Sequence, residues 1–114
     1  MQSKKNNIPV FDRAEQLRRL DGDEELIKEV VQAFLEDIPN KLVELNELLD
    51  KQDPQAISRH AHSIKGAAGN AGAAAMREIA FNLEQAGKKA DWIQIKKLSS
   101  ELQQGFELFK AEVL

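Results

Sequence analysis

The chain has 114 residues, no cysteine and no tyrosine, and its 16 basic and 19 acidic side chains leave a formal charge of -3. A chain of this length makes one domain, able to bury roughly two thirds of the surface its unfolded form would expose. Without thiols, disulfides, thiol redox chemistry and thiolate metal sites are excluded, and with two histidines a structural zinc site would need several carboxylates, so no metal is expected.

The densest basic points, Lys88-Lys89 and Lys96-Lys97, are too small to track phosphates and aromatic residues are too few for stacking, so nucleic acid is a poor candidate partner. No apolar stretch approaches the roughly 18 residues of a membrane span, and the N-terminal residues lack the apolar segment of a signal peptide. Direct membrane insertion is not expected. The default location is cytoplasmic, whether as a free protein or as the cytoplasmic end of a membrane-anchored parent. Ala, Leu, Glu, Lys and Gln dominate and β-branched residues are sparse, which favours an all-α fold.

Residues 1–10 are polar, contain Pro9 and read as a flexible leader to a domain spanning 11–114. Asp12 is placed to cap a short helix carrying Ala14, Leu17 and Leu20, stopped by Asp21-Gly22-Asp23, which would lie as a lid on one end of a bundle. A second helix is predicted from Asp23-Glu24 to about Asp50, with Leu26, Ile27, Val30, Val31, Phe34, Leu35, Ile38, Leu42, Leu45 and Leu49 at helical spacing. Pro39 falls inside it and removes one backbone bond. A kink is preferred over a break because the apolar repeat resumes on both sides. Asp53-Pro54 has the form of an N-cap followed by proline in the first turn, opening a helix that fades through Gly69-Asn70-Ala71-Gly72. A fourth helix runs from Ala73 to about Ala86 with Gly87 as its C-cap. The last is capped by Asp91 and carries Trp92, Ile95, Leu98, Leu102, Phe106, Phe109 and Val113. Four amphipathic helices on short connections predict an antiparallel up-down four-helix bundle.

On a wheel of the third helix centred on Ile64, Ile57, Ala61, Ala68 and Ala71 fall within about 60° of centre, whereas His62 lies about 160° away, toward solvent. Gly69 is near 140°, Ser58 near 120° and Lys65 near 100°, with Arg59 and Gly66 on the other side of His62. Arg59 at i-3 and Lys65 at i+3 disfavour a third positive charge, leaving a nucleophilic ring nitrogen, and the same cations would attract and stabilise a phosphoryl group. Gly66 and Gly69 keep the surface low enough for a partner's active site to close over the ring. The bland readings are that an exposed histidine is ordinary polar surface, and that the glycines serve helix packing or termination. Against them, two exposed helical glycines cost about 1 kcal/mol each relative to alanine. His60, about 40° from centre, reads as a packing or hydrogen-bonding residue, and it diverges from His62 too far to share a metal. Neither histidine has the serine and carboxylate of a hydrolase, and no glycine loop leading to Lys-Ser or Lys-Thr is present.

The run Ala61-His62-Ser63-Ile64-Lys65-Gly66-Ala67-Ala68-Gly69, with Phe34-Leu35, Pro39 and Leu83-Glu84 elsewhere, resembles the histidine-containing phosphotransfer (HPt) domain family of phosphorelays from Phe11 onward. The resemblance implies that His62 accepts a phosphoryl group from a receiver-domain phosphoaspartate and passes it to another receiver's aspartate. Lys65 would stand beside that group. Family members often steady the imidazole with a glutamine one helix over; the matching position holds Glu84, followed by Gln85. The implied partners are response regulator receiver domains, with a hybrid sensor histidine kinase as a further candidate. The docking face would combine the exposed side of the third helix with apolar residues of the lid and the start of the second. No cofactor or ATP site is implied, magnesium belonging to the receiver, and the protein would be a phosphocarrier rather than an enzyme. The alternative is a helical adaptor that binds a receiver or kinase domain without carrying phosphate.

Overall fold

A computed structural model describes residues 7–114. Five helices follow in order: α1 Arg13–Arg19, α2 Glu24–Lys51, α3 Pro54–Asn70, α4 Ala74–Lys88 and α5 Trp92–Val113. Asp12, Asp23, Asp53 and Asp91 each cap a helix, their carboxylates accepting from the backbone N–H groups of Glu15, Leu26, Ala56 and Gln94. Each satisfies a donor that the first helical turn leaves without a partner. α2 runs as one helix through Pro39, so the chain does not break there. Connections of two or three residues turn α2 into α3, α3 into α4 and α4 into α5. α3 packs between α2 and α4, and α5 closes the ring against α4 and α2. The architecture is a four-helix bundle with an N-terminal lid helix.

The core is apolar along the whole bundle, with Ile38, Leu45, Ile57, Ile64, Leu83, Ile95, Leu102 and Phe109 completely or almost completely buried. At the lid end, Phe11 and Phe34 both meet Phe109 edge-on, at centroid distances of 5.8 and 5.1 Å, in the geometry that aromatic quadrupoles favour. The lid is tied to the α3–α4 turn. Gln16 and Arg19 donate to the carbonyl of Asn70 at 3.1 and 3.0 Å, and the N–H of Asp12 donates to the carbonyl of Gly72 at 2.8 Å. Gly72 sits at φ +77° under the Gln16 side chain, so it must be glycine on both counts. Of the expected leader, residues 1–6 lie outside the described residues. The Pro9 carbonyl accepts from the Ala75 N–H at 3.0 Å and Val10 packs against the core, so packed structure reaches upstream of Phe11.

Two expectations are corrected. Gly87 does not cap α4, which continues to Lys88; the left-handed residue that ends the connection is Ala90, at φ +52°. Gly87 is instead a contact point. A methyl group there would stand 2.9 Å from the Pro54 carbonyl oxygen and 3.0 Å from Ser58 Cα, both backbone atoms. Ser58, placed toward solvent by a wheel centred on Ile64, is buried, and its hydroxyl donates to the Glu84 carbonyl at 3.0 Å. α3 is covered by α2 on one side and α4 on the other, so its buried arc is wider than the apolar stripe alone.

These two contacts generate a prediction. Gly87→Ala, which intrinsic helix propensity favours by about 1 kcal/mol, will destabilise the protein by about 1–3 kcal/mol, because the methyl must push α3 and α4 apart. Denaturant unfolding measures this, and an unchanged or raised midpoint would refute the close approach.

Candidate functional site

His62 stands on the outer face of α3 with 65% of its side chain exposed, and α4 supplies its partner. Glu84, only 9% exposed, places Oε2 3.0 Å from His62 Nδ1 and Oε1 2.8 Å from Lys65 Nζ. One carboxylate thus bridges the histidine and the lysine. Lys88, a turn further along α4, stands 3.9 Å from the same Oε2. The Lys65 hydrogen bond, opposed by burial and reinforced by the bond from His62, holds the Glu84 carboxyl below its ordinary value. An ionised carboxylate can only accept, so the hydrogen on this bond belongs to Nδ1. In the neutral ring the lone pair therefore lies on Nε2.

Lys65 is 23% exposed, with its ammonium 5.4 Å from the centroid of the Phe81 ring. Phe81 is itself 43% exposed, a large apolar side chain beside that lysine. A methyl group at Gly66 would meet nothing within 4 Å. At Gly69 it would lie 3.0 Å from Arg77 Cδ and 3.1 Å from Nε, so an arginine of α4 occupies the space above that glycine. Arg59 is exposed and makes no ion pair or side-chain hydrogen bond among the described residues. Gln85 is not brought to the site; it lines a recess between α4 and α5 with Asn82 and Lys97. His60 turns the other way, its Nε2 2.7 Å from the Lys41 carbonyl of α2. Ser63, next to His62, accepts from Lys41 Nζ at 3.0 Å.

Phe81, Lys88 and Arg77 escaped the sequence reading, although a signal was present. Arg77, Phe81, Glu84 and Lys88 stand at i, i+4, i+7 and i+11, which aligns them on one face of α4. Among the described residues, no group of three or more histidine, aspartate or glutamate side chains could hold a metal ion, and no helix is long and apolar enough to cross a membrane.

The site is thus an exposed imidazole standing clear of a helical bundle, one nitrogen tied to Glu84 and the other free. Residues 29–111 match the family model described as the Hpt domain. The chain belongs to the Hpt domain family and is a phosphocarrier of phosphorelay signalling. It is similar to histidine-containing phosphotransfer protein B (HptB) from Pseudomonas aeruginosa PAO1, known from its crystal structure, with 25% identity, a TM-score of 0.80 and coverage of 91% of this chain and 94% of that one. Comparison with curated protein sequences gave no significant match.

The Glu84 bridge sets a pH dependence. A carboxyl whose pKa is lower folded than unfolded adds stability above its unfolded value, and this is lost as pH falls through the folded value. The stability difference between the wild type and Glu84→Gln will therefore shrink as pH falls below about 4.5, the ordinary glutamate value. Denaturant midpoints of both proteins, measured from pH 7 down to pH 3, check this; a difference independent of pH would contradict an ionised bridge.

Proposed function

We propose that His62 is the phospho-accepting residue, taking a phosphoryl group on Nε2 from a receiver-domain phosphoaspartate and delivering it to the aspartate of another receiver. The observation that carries this reading is the Glu84 bond to Nδ1, which leaves Nε2 as the unprotonated nitrogen on an exposed ring. In the transfer, the Nε2 lone pair forms the N–P bond as the aspartyl O–P bond breaks and the aspartate leaves as a carboxylate. Nδ1 keeps its hydrogen, so the phosphorylated ring is cationic. Glu84 faces that charge from the Nδ1 edge, opposite the incoming phosphate. This gives the carboxylate a purpose despite its sign: it stabilises the cationic ring, while Lys65 screens it from the phosphoryl oxygens.

Lys65 has three donors and uses one on Glu84, leaving others for the phosphoryl group. The open surface at Gly66 lets a receiver's active site close over the ring. Arg59, exposed on the same helix, adds positive potential to the approach. The recess between α2 and α3, lined by Leu26, Val30, Phe34 and Ala67 together with Glu29 and Asp37, supplies a docking surface on the helix that carries the histidine. Receivers that exchange phosphoryl groups with this domain place it in the cytoplasm, as a free protein or joined to a hybrid sensor kinase.

Incubation with a phosphorylated receiver will label the wild type with acid-labile phosphate and leave His62→Gln unlabelled. Persistent labelling of that variant would sink the assignment. Lys65→Ala will slow transfer by about 10- to 100-fold, the loss of one charged stabilising contact, in rapid-quench kinetics. Equal rates would remove Lys65 from the mechanism. A receiver that binds the wild type without transferring phosphate would mark the domain as an adaptor.

A further inference from the structure

Most cations on and around the histidine face are committed. Lys65 and Lys88 converge on Glu84, Lys41 lies near Asp37 and bonds Ser63, Arg13 pairs with Glu24 and Arg18 with Glu15. Arg77 is an exception. It is exposed, makes no ion pair among the described residues, and lies across Gly69. Gly69 is seven residues beyond His62, two turns along nearly the same face of α3 and about 10 Å away. On α4, Arg77 is likewise seven residues from Glu84 and four from the exposed ring of Phe81. Arg19 reaches the same spot from α1, its guanidinium donating to the carbonyls of Gly69 and Asn70 at 3.3 and 3.0 Å. The two carboxylates bordering this recess are engaged, Asp12 in capping α1 and Glu15 with Arg18.

From this geometry we infer that Arg77, laid over Gly69 with Arg19 beside it, is a docking point for an acidic side chain on the surface of the receiver domain, and helps to decide which receiver binds. The inference rests on the proposed exchange with receivers. Gly69 then has a use different from clearance: lacking a side chain, it lets a guanidinium lie flat against α3. Arg77 lies over Gly69, two helical turns (about 10 Å) along α3 from His62, so it acts on association and leaves chemistry to His62, Lys65 and Glu84. A free guanidinium also suits the task because no internal ion pair must be broken before a carboxylate binds it bidentately.

The test uses whichever of the organism's receiver domains transfers fastest to the wild type, with the transfer rate followed against receiver concentration. Arg77→Gln will raise the half-saturating receiver concentration about two- to fivefold, the size expected for one exposed ion pair. Arg77→Glu will raise it on the order of tenfold through like-charge repulsion, and Arg77→Lys will recover part of the loss. The saturating rate will fall much less, and the difference between variants will narrow in 0.5 M salt. An unchanged half-saturating concentration in Arg77→Gln, or a loss confined to the saturating rate, would overturn the inference. Should Arg77→Glu not fold, the Gln and Lys variants carry the comparison. Failure of the wild type to take a phosphoryl group on His62, from receivers or from phosphoramidate, would instead defeat the underlying functional reading.

Discussion

The site depends on how closely α3 and α4 approach one another. The residues that let them do so are small: Ser58, Ala61 and Ala68 on α3, and Ala80 and Gly87 on α4, all buried. Gly87 has no room for a methyl group against the backbone of Pro54 and Ser58, and the Ser58 hydroxyl bonds the Glu84 carbonyl across the same seam. A larger side chain at any of these points would widen the gap. Glu84 is a short side chain on one helix that must reach two partners a turn apart on the other, so the interhelical distance decides whether the bridge exists. Small residues in the core and chemistry on the surface are therefore one arrangement.

Electrostatics completes it. The chain is acidic overall, yet α3 contains no aspartate or glutamate, so the helix that carries His62 presents only cations and neutral groups. The Glu84 carboxylate at the histidine arrives from α4 and is largely buried among Lys65, Lys88 and the ring N–H. Its charge is spent locally and projects little toward an approaching phosphate. In the proposed transfer that is how an anionic group can serve beside the histidine, where a neutral amide would be the simpler choice. Arg59 and Arg77, without ion pairs among the described residues, and Phe81 between α4's two charged turns leave the outer rim positive and partly apolar.

Much of this was legible in the sequence because it rests on local signals. Four aspartates mark four helix starts, and each is observed capping its helix. Leu and Phe spacing placed α2 and α5, while the apolar stripe centred on Ile64 set His62 on the open side of α3. Other features depend on which helices become neighbours, and that information is not local. The wheel for α3 assumed one apolar direction, so Ser58 was placed outside although α4 covers it. Gly87 was read as a stop signal because glycine at a helix end usually is one; only the position of Pro54 and Ser58 across the seam shows it to be a packing residue. Glu84 was legible as the residue opposite the histidine, but its simultaneous hold on Lys65 needed the distance between the helices. Arg77 was passed over because a lone arginine on an amphipathic helix has no distinguishing pattern until its neighbour at Gly69 is known.

The central claim is that Glu84 fixes the hydrogen on Nδ1 and so leaves Nε2 as the nucleophile. Nitrogen-15 NMR of the histidine-labelled protein reads both ring nitrogens directly, before and after phosphorylation. The account predicts that the neutral His62 ring carries its hydrogen on Nδ1, that Glu84→Gln alters the signal of that nitrogen, and that phosphorus becomes bonded to Nε2 with Nδ1 still protonated. A neutral ring protonated mainly on Nε2, or a phosphoryl group on Nδ1, would contradict it.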